Sequence, residues 1–168
     1  MTGRIAVIAT LLAALLLGGG LYYSQVYAYY DEIPAEVANV QVLSAETGEP
    51  LALRFENFNG IDSTSSPIRY RACFELPVMP PEAARYEVPV PLTAPGWFDC
   101  FDAAAIGAAL ERGEAEAFLA AENVVYGVDR VIARFPDGRA FAWHQLNRCG
   151  EVVYDGDPAP EGCPPAPE

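Results

Sequence analysis

Five side chains in this sequence are of types that can carry chemistry: one histidine, His144, and four cysteines, Cys73, Cys100, Cys149 and Cys163. An imidazole acts as a general base beside a nucleophile, with a carboxylate to orient it. Ser63, Ser65 and Ser66 stand in one polar run, but no Gly-x-Ser-x-Gly turn presents any of them. Asp129 and Asp155 are orienting candidates in a chain that holds 23 acidic residues, so their presence alone carries little weight. His144 is the single catalytic candidate, and the sequence assembles no catalytic set around it. Alternation along Phe141-Ala142-Trp143-His144-Gln145 puts it on a strand face with Ala140, Ala142 and Leu146, the setting of a hydrogen-bonded core or rim histidine.

The cysteines admit three uses: disulfides, a metal site, or a redox pair. No two have Cys-x-x-Cys spacing, and one histidine is all that is available to complete a zinc set. An even count in an exported domain reads as disulfides, for which four cysteines allow three connectivities. Cys73–Cys100 and Cys149–Cys163 are preferred, because each closes a modest local loop. The second would pin a Pro-rich tail onto the domain, and each would contribute roughly 3 kcal/mol.

The remaining polar signals are weaker. Asp99 and Asp102 flank Cys100-Phe101 at an expected helix start, where capping and the helix dipole account for them. Asp155-Gly156-Asp157 is a fragment of a calcium loop, and Gly18-Gly19-Gly20 is not a phosphate loop because it lies inside an apolar run. Trp97, Phe98 and Trp143 could line a sugar or peptide groove, with core packing as the simpler use. No metal, nucleotide or other cofactor is implied.

These residues must be positioned by a chain that starts with an anchor. Residues 5 to 23 carry no charge, close to the roughly 20 needed to cross a bilayer as a helix. Tyr22, Tyr23, Tyr27, Tyr29 and Tyr30 cluster at the far end, where aromatic rings favour the membrane interface. Arg4 is the only basic residue before the first acid, Asp31, so the N-terminus is expected in the cytoplasm and the domain outside. An uncleaved single-pass anchor in a bacterial inner membrane, with a periplasmic domain, is the preferred reading. Secretion after signal cleavage near Ala28, with Met-Thr-Gly-Arg as n-region, is the alternative.

The expected organisation is an anchor with interfacial tyrosines over 1–30, an α+β domain over 31–157 and a Pro-rich tail over 158–168. Beyond residue 30 the chain carries 9 Arg, no Lys and 23 acidic residues, a formal charge of −14. That balance excludes nucleic acid as a partner and disfavours anionic lipid.

Val40 and Val42 predict a strand that forms a hairpin with Leu51, Leu53 and Phe55 across a turn at 46–50. A polar loop is expected over Asn57–Pro67, then a strand with Ile68, Tyr70, Ala72 and Phe74 on one face. Six prolines over 77–96 predict an extended connection. A helix follows, capped by Asp102, with Ala103, Ile106 and Leu110 on one face and Gly113 at its stop. A second short helix is expected from about Glu114 to Glu122, burying Phe118 and Leu119. Residues 124–135 read as a strand joined through Pro136-Asp137-Gly138 to a strand over 139–146, and Val152–Tyr154 as one more. The fold class is α+β: a single transmembrane helix, then an antiparallel sheet with one or two short helices.

Arg71-Ala72-Cys73-Phe74, Gly96-Trp97-Phe98-Asp99-Cys100-Phe101-Asp102, Trp143-His144-Gln145 and Asn147-Arg148-Cys149-Gly150-Glu151 together carry a resemblance. The chain resembles a family of short, membrane-anchored alphaproteobacterial proteins classed as a domain of unknown function. The resemblance spans nearly the whole chain, from the anchor to the Gly-Cys-Pro-Pro tail. It implies no activity and transfers no catalytic residue, but it supports taking the four cysteines as parts of one design. Three functional expectations follow: a noncatalytic module that binds or supports another envelope protein, an envelope hydrolase using His144 with a nearby carboxylate, or metal or thiol-redox handling. The last requires at least two free thiols.

Overall fold

The computed structural model describes residues 2–166, and the chain divides at Tyr30/Asp31 into two compact units. Met1 of the n-region and Pro167 and Glu168 of the tail lie outside the described residues.

The first unit is helix α1, Thr2–Val26, with a short tyrosine-rich end. From Gly3 to Val26 it is long and apolar enough to cross a membrane, about 36 Å at the helical rise. Its leucines are exposed, which fits a membrane-crossing helix or a signal segment. Thr10 Oγ1 donates to Ala6 O and Ser24 Oγ to Leu21 O, each at 3.0 Å, so these hydroxyls are satisfied within the helix. Tyr27 stacks on Tyr23 and meets Tyr22 edge-on, forming an aromatic end to the helix.

The second unit is built on a six-stranded antiparallel sheet. Its strands are β1 (Asp31–Ile33), β4 (Glu56–Asp62), β5 (Arg71–Glu75), β8 (Arg139–Leu146), β7 (Val128–Arg134) and β6 (Glu116–Val125), in that spatial order. A separate hairpin, β2 (Gln41–Leu43) with β3 (Pro50–Ala52), pairs Val42 with Leu51 as the alternation predicts. The hairpin covers one sheet face. Val40, Val42 and Leu53 pack there with Tyr70, Ala72, Phe74, Phe118, Ile132 and Ala142.

The other face carries Phe141 and Trp143 on β8, and Phe101 meets both rings edge-on from the loop before helix α2 (Ala103–Glu111). Ile106 and Ala109 are buried on that helix. The central strands are therefore covered on both faces, and Arg71 and Cys73 are buried as well as Ala72 and Phe74. Asp102 caps α2 by accepting from Ala105 N at 3.0 Å, and Gly113 follows its end at φ +69°.

Four expected elements are corrected. Residues 116–125 form a strand, not a helix: Phe118 pairs with Ile132 and Leu119 with Val131, and the sheet overrides the helical preference of an Ala- and Glu-rich run. The run read as a polar loop from Asn57 holds most of β4. Gly60 is accommodated there because a Cβ would sit 2.6 Å from the Phe58 ring, and Asn57 takes a positive φ beside a bulge. Val152–Tyr154 belong to helix α3, Arg148–Tyr154, whose start is set by Asn147 Oδ1 accepting from Cys149 N and Gly150 N. Residues 124–135 are split between β6 and β7 by the turn at Tyr126-Gly127.

Candidate functional site

His144 lies within the sheet, one residue from the rings of Trp143, and is buried. Pairing sets Arg130 of β7 directly opposite it. The guanidinium Nε donates to His144 Nε2 at 2.9 Å, and His144 Nδ1 donates to Pro67 O at 2.7 Å. Because Nε2 faces a cation's N–H it must carry the lone pair, so the ring is the neutral Nδ1-H tautomer. Tyr70 stacks on the imidazole at 4.7 Å, and the Arg130 guanidinium lies over the Tyr70 ring at 4.3 Å.

Burial lowers the His144 pKa to about 4; Arg130 and then Arg71 add to the shift, while the bond to Pro67 opposes it. Both ring nitrogens are therefore engaged, and the lone pair a general base needs is bonded to Arg130. Nearby, Asp62 is held above the usual carboxylate range, chiefly by burial, against the pull of Ser63 N, Arg130 and Arg71.

Of the serines and carboxylates that could serve His144, Ser63, Ser65 and Asp129 are bonded to other groups, and Asp155 stands at the end of α3. Ser63 and Ser65 hydroxyls bond each other at 2.8 Å. Asp155 ends α3 as its C-terminal cap. Asp129 is buried and accepts from Asn123 N at 3.0 Å, Asn147 Nδ2 at 2.8 Å and Tyr86 Oη at 3.1 Å. Those three bonds satisfy a carboxylate that no salt bridge neutralises among the described residues. Burial and the Asp129 charge together raise the Tyr86 pKa, so its hydroxyl keeps its proton.

Tyr86 belongs to the Pro-rich connection, which is strapped across the domain. Tyr86 N donates to Ala117 O, and Leu119 N to Ala84 O, so the strap lies beside the outer edge of β6. Further on, Gln145 Nε2 donates to Val88 O, and its Oε1 accepts from Val90 N and Trp143 Nε1. Arg71 donates Nε to Leu92 O at 2.6 Å and Nη2 to Thr93 O at 3.2 Å. A segment whose prolines cannot form a ladder is thus held by side chains from β5 and β8.

Two open clefts flank this strap. One, of about 850 Å³, lies between the strap and α2, and the other, of about 640 Å³, between the strap and the start of α3. His144 lines neither.

All four cysteines are in disulfides, Cys73–Cys100 and Cys149–Cys163, which are the two local loops. The first ties the Trp97–Phe101 loop to β5. The second joins α3 to the tail, which is also held by Arg148 Nη2 donating to Glu161 O and Tyr126 Oη to Pro164 O. The pairs fit an oxidising compartment. With every sulfur bonded to another, the two free thiols that metal or redox handling requires are not present. Trp143 and Phe98 are core residues, not groove walls.

A family model matches residues 40–164, which is most of the chain. The chain belongs to the family of unknown function DUF6446. The DUF6446 match takes in His144, the Asp129 cluster, both disulfides and both clefts, and begins after α1 and β1. No curated protein and no solved structure matches the chain.

Sequence reasoning did not find Arg130, Tyr70, Tyr86 or Gln145 as site residues. Arg130 was reachable in principle, since a hairpin turn at Pro136-Asp137-Gly138 puts β7 and β8 in register. Gln145 and Tyr86 meet their partners across separations of 55 and 43 residues, which no local pattern encodes.

Proposed function

We propose that this DUF6446 protein is a noncatalytic module, tethered in a bacterial inner membrane by α1 and facing the periplasm, that binds or supports another envelope protein. The observation that carries this reading is how the chemistry-bearing side chains are used. His144 is bonded at both nitrogens, Asp129 is engaged by three donors, and the four cysteines are paired. Each of these groups holds elements of the domain together, and none is presented to a cleft with a lone pair or thiolate to offer. The anchor supports a function that depends on place, and the two disulfides support an oxidising side of the membrane. Arg4 before α1 and the acids from Asp31 onward support an outward-facing domain.

The test is site-specific photocrosslinking in intact cells, with the reactive residue placed in turn at the exposed positions Val37, Val78, Val88, Val125 and Tyr154. A discrete adduct from at least one position, on protein retained in the membrane, is the expected result. Full membrane retention with no adduct at any position would sink the binding-module reading.

A further inference from the structure

We infer that the cleft between the strap and α2 is a docking groove for a segment of a partner protein that carries lysine or arginine. This rests on the binding-module reading above and names the chemistry of the partner.

One wall is α2, where Ala104, Gly107, Ala108 and Glu111 recur at the spacing of a single helix face and line the cleft. Three of these are the smallest side chains available, so a second segment can come close to the helix backbone. The opposite wall is Val88, Pro89, Val90 and Pro91, with Val88 70% and Val90 52% exposed. Gln145 holds Val88 O and Val90 N from behind, and Pro89 and Pro91 have no N–H, so this wall offers apolar surface more than backbone pairing. The walls converge where Gly107 approaches Pro91, with 3.9 Å left for a Cβ.

Charge at the mouth is net acidic. Arg85 is paired with Glu116 at 2.8 Å and Arg112 with Glu114 at 2.7 Å; Glu111 shares the field of Arg112, and Glu87 makes no salt bridge among the described residues. An apolar trough rimmed by two carboxylates matches a long cationic side chain. Its methylene stem covers Val88 and Ala104 while its charged head stays at the wet rim beside Glu87 or Glu111. The domain's formal charge of −14 steers the same class of partner toward it and repels acidic ones.

The test uses the full chain in a neutral detergent. The probes are a fluorescent amphipathic peptide of lysine and leucine, and its twin with glutamate in place of each lysine, read by anisotropy. The lysine peptide should bind and the glutamate twin should not. Glu87→Lys combined with Glu111→Lys should weaken binding by about tenfold or more. Glu46→Lys with Glu49→Lys, an equal charge change on the β2–β3 turn, should cost about twofold at most. Ala104→Trp, at an exposed position, fills the trough without changing charge and should also abolish binding.

Equal losses from the two charge pairs, or full binding by Ala104→Trp, would overturn the groove. Saturation by spermidine at the affinity of the peptide would overturn its assignment to a protein segment. Crosslinks in cells that persist in the Glu87/Glu111 variant would remove the groove and keep the module.

Discussion

Gly127 and Gly150 lie backbone against backbone, the Cα of one where a side chain of the other would have to be. A Cβ on Gly150 would overlap the Gly127 carbonyl, and a Cβ on Gly127, which also holds φ +73°, would overlap the Gly150 backbone. This contact lets α3 sit on the β6–β7 turn, where Asn147 N donates to Gly127 O at 2.9 Å. Gly150→Ala is expected to destabilise the domain by about 3 kcal/mol, because both atoms it would displace are main chain. Gly107→Ala, in the interior of α2 with ordinary contact distance available, is expected to stabilise by about 0.5–1 kcal/mol. Urea denaturation of the two variants checks both signs.

His144 should make stability depend on pH. Its folded pKa is about 4 against an ordinary 6.5, so between those values the unfolded chain binds the extra proton. Stability from this group is complete above pH 6.5 and is lost as pH falls toward 4, by about 3 kcal/mol in all. His144→Asn removes the titration. Denaturation curves at pH 7.5 and 4.5 should differ less for the variant than for the parent, and equal differences would show that His144 is not the group responsible.

Gln145 holds three groups at once, so its loss should free the strap before it harms the sheet. Gln145→Ala is expected to speed hydrogen exchange at the Val90 amide by about tenfold or more, with β-sheet circular dichroism retained. Exchange at Tyr86, bonded to Ala117 O, should change less.

The disulfides predict a simple thiol count. Alkylation of the native protein should label no cysteine, and reduction in denaturant should expose four. Peptide mapping should return Cys73 with Cys100 and Cys149 with Cys163. Replacing either pair with serine should cost about 3–4 kcal/mol, on the loop-closure entropy of separations of 27 and 14 residues. Labelling of any cysteine without reductant would reopen redox or metal chemistry.

Features that depend only on neighbours in the chain were legible without the fold. The N-terminal apolar helix is legible because the length and apolarity that could carry it across a bilayer are local properties of α1. Asp102 and Gly113 mark α2 because a cap acts within one turn. The β2–β3 hairpin and the β7–β8 turn are likewise short loops whose ends meet by local closure, which also favoured the two disulfide pairs without excluding the other connectivities of four cysteines.

What failed locally is what tertiary contact decides. Residues 116–125 lose their polar–apolar alternation because Ala117, Phe118 and Ala120 are all buried, so pairing with β7 makes them a strand against their helical composition. Val152 and Val153 favour a strand, yet the Asn147 cap and the fit of Gly150 against Gly127 make a helix of them. His144 shows the same division. Its type announced chemistry, while its state was set by Arg130 across the sheet and Pro67 from a distant loop. A side chain's role follows from the donors and acceptors around it, and those are assembled only when remote segments meet.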